Sequence, residues 1–266
     1  MAISAKARQA MQSHGLMIED FEGRSTIRAS DVEALARQRS GPPSLDRINK
    51  LKIDDSSVVI YGTGSQAVAA KDAYSVGDDY SVVAYIDYNP RFTELGGVPV
   101  LSAGNLKELS ERGLKFVHIS PPESSLDSNR EHELDGLGLE LVCALHPTAV
   151  ISPSAKIGKN VYVGPLTIIG PHAELQEFTS VSNGASVAHH SVIGRGTRIS
   201  DGARIAGHVT IGSRSLIGLN ATVNLRLTVG RNVVVVSGAN VFDSVPDDHV
   251  VRADGTVSVA RGSGGE

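Results

Sequence analysis

The sequence predicts an α/β domain followed by an all-β domain, and three observations carry that reading. From Ile151 to Val241 every sixth residue is aliphatic without a break, beginning Ile151, Ile157, Val163, Ile169, Leu175, Val181 and ending Ile217, Val223, Val229, Val235, Val241. Upstream, the apolar run Val58-Val59-Ile60-Tyr61 leads into Gly62-Thr63-Gly64-Ser65-Gln66-Ala67, then a helical stretch through Val68, Ala69, Ala70 and Ala73. Between these two regions short strand-like and helix-like segments alternate, the pattern of a parallel open sheet.

Neither the 3.6-residue turn of a helix nor the alternation of an amphipathic strand sets a period of six. The period suits a short strand, a tight corner and another short strand. Three such strands close a triangular coil of eighteen residues, and coils stacked about 4.8 Å apart make a parallel β-helix. The aliphatic column fills the prism, each side chain contributing about 1.5–3 kcal/mol before the entropy of ordering is set against it. Two residues before the stops the side chain is small, as at Ala149, Ala155, Thr167, Ala173 and Ala185. Glycine often follows a stop, as at Gly158, Gly170 and Gly194, and is expected to supply corner conformations that a β-carbon resists.

In chain order, residues 1–53 read as a helical extension, with Ser30-Asp31-Val32-Glu33 in capping-box form and Gly41-Pro42-Pro43 as a stop. Residues 54–145 read as a small Rossmann-like domain. Its strand, GxGxxA turn and helix follow the order in which glycines admit a phosphate to free N–H groups at a helix start. The second strand, Val82 to Ile86, ends in Asp87, placed for a ribose or a base. Gly96 to Leu101 reads as a turn and strand, Leu106 to Arg112 as a helix, Lys115 to Ile119 as a strand, and Ser128 to Leu137 as a helix before Leu139-Glu140-Leu141-Val142. His146-Pro147 marks the seam, residues 146–245 the β-helix, and 246–266 a tail. By motif mechanics alone, NAD is a candidate ligand.

The balance of 25 basic against 29 acidic residues gives no basic footprint for nucleic acid. No segment is long and apolar enough to span a membrane, and the N-terminus lacks a signal-peptide core, so a cytoplasmic location is expected. The single cysteine, Cys143, cannot form an internal disulfide and is expected to pack at the entrance to the β-helix.

The unbroken hexapeptide series, the lead-in Leu145-His146-Pro147-Thr148-Ala149-Val150-Ile151 and the mononucleotide-type motif together resemble the bacterial hexapeptide-repeat sugar acyltransferases, among them nucleotide-sugar N-acetyltransferases and sialic acid O-acetyltransferases. The resemblance covers Ser57 to Val245 and implies a left-handed β-helix and a homotrimer, for whose contacts Val192, Leu216, Leu225 and Val234 lie outside the inward column. It implies direct transfer of an acyl group from acetyl-CoA to a nucleotide-linked amino sugar, with no metal. Val187-Ala188-His189-His190-Ser191 matches the segment that carries the family's general base, which implies His189 as base, with His190 where the family has Asp or Glu. Gly207 is the matching oxyanion donor, with Leu219, Ser237 and Gly238 along the CoA arm. Gly62, Gly64, Ser65 and Gln66 are implied near the sugar-nucleotide phosphates, and Asp87 and Tyr88 near the base. The usual Gly-Gly-His loop is here Gly64-Ser65-Gln66, a downstream Gly-Asn turn is Ser120-Pro121-Pro122, and Val251 to Gly255 replaces a Gly-x-Pro-Ala turn.

Counting by eighteen stacks His172, His190 and His208 in one column and sets Gly207 one coil beyond His189. Such a ladder also admits a metal, but the HxxxxH pair of β-helical carbonic anhydrases is absent. The alternatives to an acyltransferase are therefore a scaffold of the same fold with a decayed site, a zinc hydrolyase, or an NAD-linked enzyme.

Overall fold

A computed structural model describes residues 2–4, 6–7, 26–32, 45–77, 79–120, 134 and 136–260. Ala2–Ile3 pairs in parallel with Thr26–Ile27, so the N-terminal extension is not purely helical as its composition suggested. The helical turn near Asp31 also begins earlier than expected. Asp31 accepts from the Arg28 N–H at 2.8 Å, making Arg28 the capped position in place of Ser30. Glu33, Gly41-Pro42-Pro43, Pro121-Pro122 and most of the expected helix over 128–137 lie outside the described residues.

The α/β unit comprises β1 (Ser57–Tyr61), α1 (Ser65–Val76), β2 (Ser81–Asp87), β3 (Glu94–Leu95), β4 (Val98–Ser102), α2 (Leu106–Glu111), β5 (Phe116–Ile119) and β6 (Glu140–Leu141). The sheet order is β3-β4-β2-β1-β5-β6, with only the β3–β4 pair antiparallel. All five residues of β1 are buried, as a central strand covered on both faces must be. Ala67, Ala70 and Ala73 let α1 lie close against Val58, Ile60 and Tyr85.

From Ala144 the chain winds into a left-handed parallel β-helix. Residue i pairs with i + 18 as far as Val241, as in Ile169 with Val187 and Val187 with Ile205, and the last coil closes at i + 16, as in Val235 with Val251. One face runs from Val150–Ile151 to Asn240–Val241, a second from Lys156–Ile157 to Thr228–Val229, and a third from Ala144–Leu145 to Val234–Val235. The third is extended by His249–Val251 and an antiparallel strand, Val257–Val259. The aliphatic stops and the small residues two before them form one buried cluster. Where the small residue is Ser or Thr its hydroxyl is satisfied by a carbonyl fifteen residues on, as from Ser191 to Ala206 at 2.8 Å and Ser215 to Gly230 at 2.8 Å. No helix among the described residues is long and apolar enough to cross a membrane.

The glycines after the stops do not have the role expected of them. Gly170 and Gly194 lack positive φ; a β-carbon on Gly170 would sit 2.8 Å from the His189 nitrogen, and one on Gly194 would sit 2.6 Å from the Ser213 nitrogen. They permit close stacking of successive coils. The left-handed corner falls three residues after each stop from Ile157 to Val235, at Asn160, Leu166, His172, Phe178, His190, His208, Arg214, Asn220, Arg226 and Asn232, with glycine at 184, 196, 202 and 238. A non-glycine residue there carries about 1–2 kcal/mol of local cost, offset by the stacking of coils.

One corner fastens the two units. Asn160, 2% exposed, accepts from the Ile119 N–H and donates to the Ile119 carbonyl, both at 2.7 Å, extending β5 by a side-chain amide. One coil on, Phe178 enters the core formed with Ile119 and Leu139, and the Arg195 guanidinium lies 4.4 Å above its ring. The Cys143 thiol donates to the Gly158 carbonyl at 3.1 Å, and burial raises its pKa. That is a packing role, not a thiolate nucleophile's environment.

Candidate active site

His189 follows the Val187 stop by two residues and is exposed at the corner between the first and second faces. His190, next in the chain, takes the left-handed conformation with φ 58°, which turns its ring back toward its neighbour. The two Nδ1 atoms are 3.1 Å apart and the rings stand edge to face. One Nδ1 must carry the proton and the other accept it. When His189 donates, its Nε2 keeps a lone pair that no described residue engages. Desolvation first, then the neighbouring His208, His172 and His189, lower the His190 pKa, which favours the neutral ring, the form able to accept.

The column above and below is aromatic. His190 stacks on His208 with centroids 4.8 Å apart and an 11° interplanar angle, and lies 4.9 Å from His172. His208 also meets His189 edge to face at 5.2 Å. Ligand atoms of His189, His190 and His208 all lie within 4.8 Å of one another.

Gly207 lies under the His189 ring. A β-carbon there would fall 2.7 Å from both Cε1 and Nε2. The missing side chain thus makes room for the imidazole itself, rather than opening a channel along the coils. At the equivalent step of other corners the Asn183 and Leu219 N–H groups donate to Asp201 and Ser237 side chains one coil on. The residue one coil beyond Gly207 is Leu225, which offers no acceptor. The Gly207 N–H has no acceptor among the described residues.

Leu219, Ser237 and Gly238 are brought together, but at the corner between the third and first faces. The Leu219 N–H donates to Ser237 Oγ at 3.2 Å and Gly238 N–H to the Leu219 carbonyl at 2.7 Å. Within one chain a full face separates them from His189.

In the α/β unit, Gly62 has φ 119°, and a β-carbon would meet the Ser120 carbonyl at 2.8 Å. Gly64 caps α1 with an ordinary φ of −76°, and a β-carbon there would meet nothing within 4 Å. The open side of the turn therefore faces outward at the positive end of a twelve-residue helix. Ser65 begins α1, while the Gln66 amide donates to Ser180 Oγ on the β-helix at 3.3 Å, so that side chain is engaged between the two units. Asp87 accepts from the Thr63 hydroxyl at 2.6 Å and the Asn89 N–H at 2.9 Å, so it ties the Gly62-Thr63-Gly64 turn to the Tyr88 loop. Tyr88, 52% exposed, leans on Tyr61 at 5.6 Å. Sequence reasoning missed Thr63, although its place between the two glycines marked it.

The architecture is therefore a left-handed hexapeptide β-helix preceded by a small α/β unit, with an imidazole at an exposed corner. Comparison with curated protein sequences returns no match. The family described as GMPPB C-terminal domain matches residues 140–251. Among solved structures, PerB from Caulobacter crescentus in complex with CoA and GDP-perosamine is similar, with TM-score 0.72 and 26% identity over 78% of this chain and 99% of that one. A form of the same GDP-perosamine N-acetyltransferase with one histidine replaced by alanine, also holding CoA and GDP-perosamine, gives TM-score 0.73. The acetyltransferase domain of PglB from Neisseria gonorrhoeae shares the fold, with TM-score 0.66 and 24% identity over 74% of this chain and 96% of that one. The solved structures that this chain resembles are thus hexapeptide-repeat sugar acyltransferases, whose β-helix it shares.

Proposed function

We propose that this chain transfers the acetyl group of acetyl-CoA to the amino group of a nucleotide-linked sugar, a GDP-linked amino sugar being the first candidate. The observation that carries the proposal is the His189 imidazole, tied through Nδ1 to His190 and lying over Gly207 with Nε2 unengaged. The similarity to an N-acetyltransferase solved with CoA and GDP-perosamine supports the choice of substrates.

In this mechanism His189 Nε2 takes a proton from the amine as its nitrogen attacks the thioester carbonyl. The Gly207 N–H donates to the oxygen that gathers charge. As the C–N bond forms and the C–S bond breaks, the imidazolium returns that proton to the thiolate. Neutral His190 accepts from the Nδ1–H of His189 throughout, holding the tautomer that leaves Nε2 basic. The free N–H groups at the start of α1 and the open side of Gly64 suit a diphosphate, and the Asp87–Tyr88 loop suits the base.

A homotrimer in the cytoplasm belongs to the same reading. Leu219, Ser237 and Gly238 lie a face away from His189, so a CoA arm touching both groups requires the corner of a second copy. The test is to supply acetyl-CoA with a panel of nucleotide-linked amino sugars and detect the acetylated product. Acetylation of at least one GDP-linked amino sugar is expected. Failure with every amino sugar, under conditions where the protein is folded, would leave a scaffold with a decayed site.

A further inference from the structure

We propose that the histidine corner is also a binding site for a divalent transition-metal cation, formed by His189, His190 and His208, and that this cation competes with acyl transfer. Ligand atoms of the three side chains lie within 4.8 Å of one another. The 3.1 Å between the Nδ1 atoms of His189 and His190 is close to the separation of roughly 3.3 Å that two nitrogens have when each lies about 2.0–2.1 Å from one tetrahedral ion. His208 stands against both rings. All three side chains are exposed, so rotation can bring the third nitrogen to the ion.

The backbone beneath them is fixed by coil stacking, since the His208 N–H donates to the His189 carbonyl at 3.0 Å. No Asp or Glu joins the cluster among the described residues. An all-imidazole set selects Zn²⁺, Co²⁺, Ni²⁺ or Cu²⁺ over Mg²⁺ or Ca²⁺.

Binding and catalysis exclude each other at His189. A neutral imidazole coordinated through Nδ1 carries its proton on Nε2, so the lone pair needed for the base is lost. Coordination also replaces the hydrogen bond to His190. The competition rests on the acyltransferase reading above; the binding itself does not.

The experiment titrates Co²⁺ into EDTA-stripped, full-length protein, reads the visible absorption of the bound ion, and assays acetylated sugar in EDTA and with added Zn²⁺. The variant is His208→Asn, which keeps the left-handed corner that Asn160, Asn220 and Asn232 already occupy and removes a ligand. We expect one Co²⁺ per chain, with affinity about tenfold or more weaker in His208→Asn. Transfer should be undiminished in EDTA and fall with Zn²⁺ in step with occupancy, the variant needing correspondingly more Zn²⁺. Absent Co²⁺ bands, or binding equally tight in His208→Asn, would overturn the site. Bound metal with unchanged transfer would overturn the competition, and activity lost in EDTA but restored by Zn²⁺ would replace it with a catalytic metal. Should no amino sugar be acetylated even in EDTA, the acyltransferase reading fails while the Co²⁺ titration still decides the site.

Discussion

His189 and His190 approach through like atoms, Nδ1 to Nδ1 at 3.1 Å, across a corner whose second residue is left-handed. Adjacent side chains on an extended strand point to opposite faces; the positive φ at His190 brings these two rings together. A neutral ring thus stands where relatives of this fold were expected to carry a carboxylate. It can fix the tautomer of the base but supplies no negative charge to stabilise the imidazolium.

Replacing His190 by glycine keeps the φ of 58° without strain and removes only the acceptor. The expected result is a fall in kcat of about ten- to a hundredfold with KM for acetyl-CoA unchanged. Steady-state kinetics check it, and an unaltered kcat would remove His190 from the site.

Gly207→Ala places a methyl group 2.7 Å from Cε1 and Nε2 of His189. Because that ring is exposed and free to swing, the cost falls on catalysis rather than folding. A loss of about a hundredfold in kcat is expected with Tm nearly unchanged. A large drop in Tm would mean that the close contact is structural.

At Gly194 the balance reverses. An added β-carbon meets the Ser213 nitrogen at 2.6 Å and the Gly212 carbonyl carbon at 2.7 Å, and stacked backbone cannot rotate aside. Gly194→Ala should lower stability by more than about 2 kcal/mol, read by denaturant unfolding.

The β-helix was legible because each aliphatic stop is a local fact repeated at one spacing, and burial alone fixes which way it points. The corner geometry was not read from the same residues, although the signal existed. Asn160, Gly184, Gly196, Gly202, Asn220, Asn232 and Gly238 recur three places after the stops, and Gly and Asn are the residues that tolerate positive φ. Attention to the glycines directly after the stops hid this, since close coil approach selects glycine as strongly as a turn does. His189 and Gly207 were placed by counting. The His190 ring contact and the Asn160–Ile119 clamp depend on side-chain direction and on pairing 41 residues apart, which no local pattern encodes.

His118 supplies a pH test of folding. It is 2% exposed, its Nδ1 lies 3.1 Å from the Val142 carbonyl, and burial lowers its pKa to about 4. Its unfolded pKa is near 6.5, so the native state holds the neutral ring while the unfolded chain takes up a proton. The contribution to stability is intact above pH 6.5, is lost as pH falls toward 4, and levels off below that. The loss amounts to something on the order of 3 kcal/mol. Urea unfolding of wild type and His118→Gln across that range should show the pH slope reduced in the variant.

The most direct test of the account is the rate of acetyl transfer by His189→Ala against wild type, with acetyl-CoA and the amino sugar that the wild type accepts, at matched fold and CoA affinity. The account predicts a fall in kcat of about a thousandfold, within the range for loss of a general base. A variant that transfers acetyl groups at the wild-type rate would contradict it.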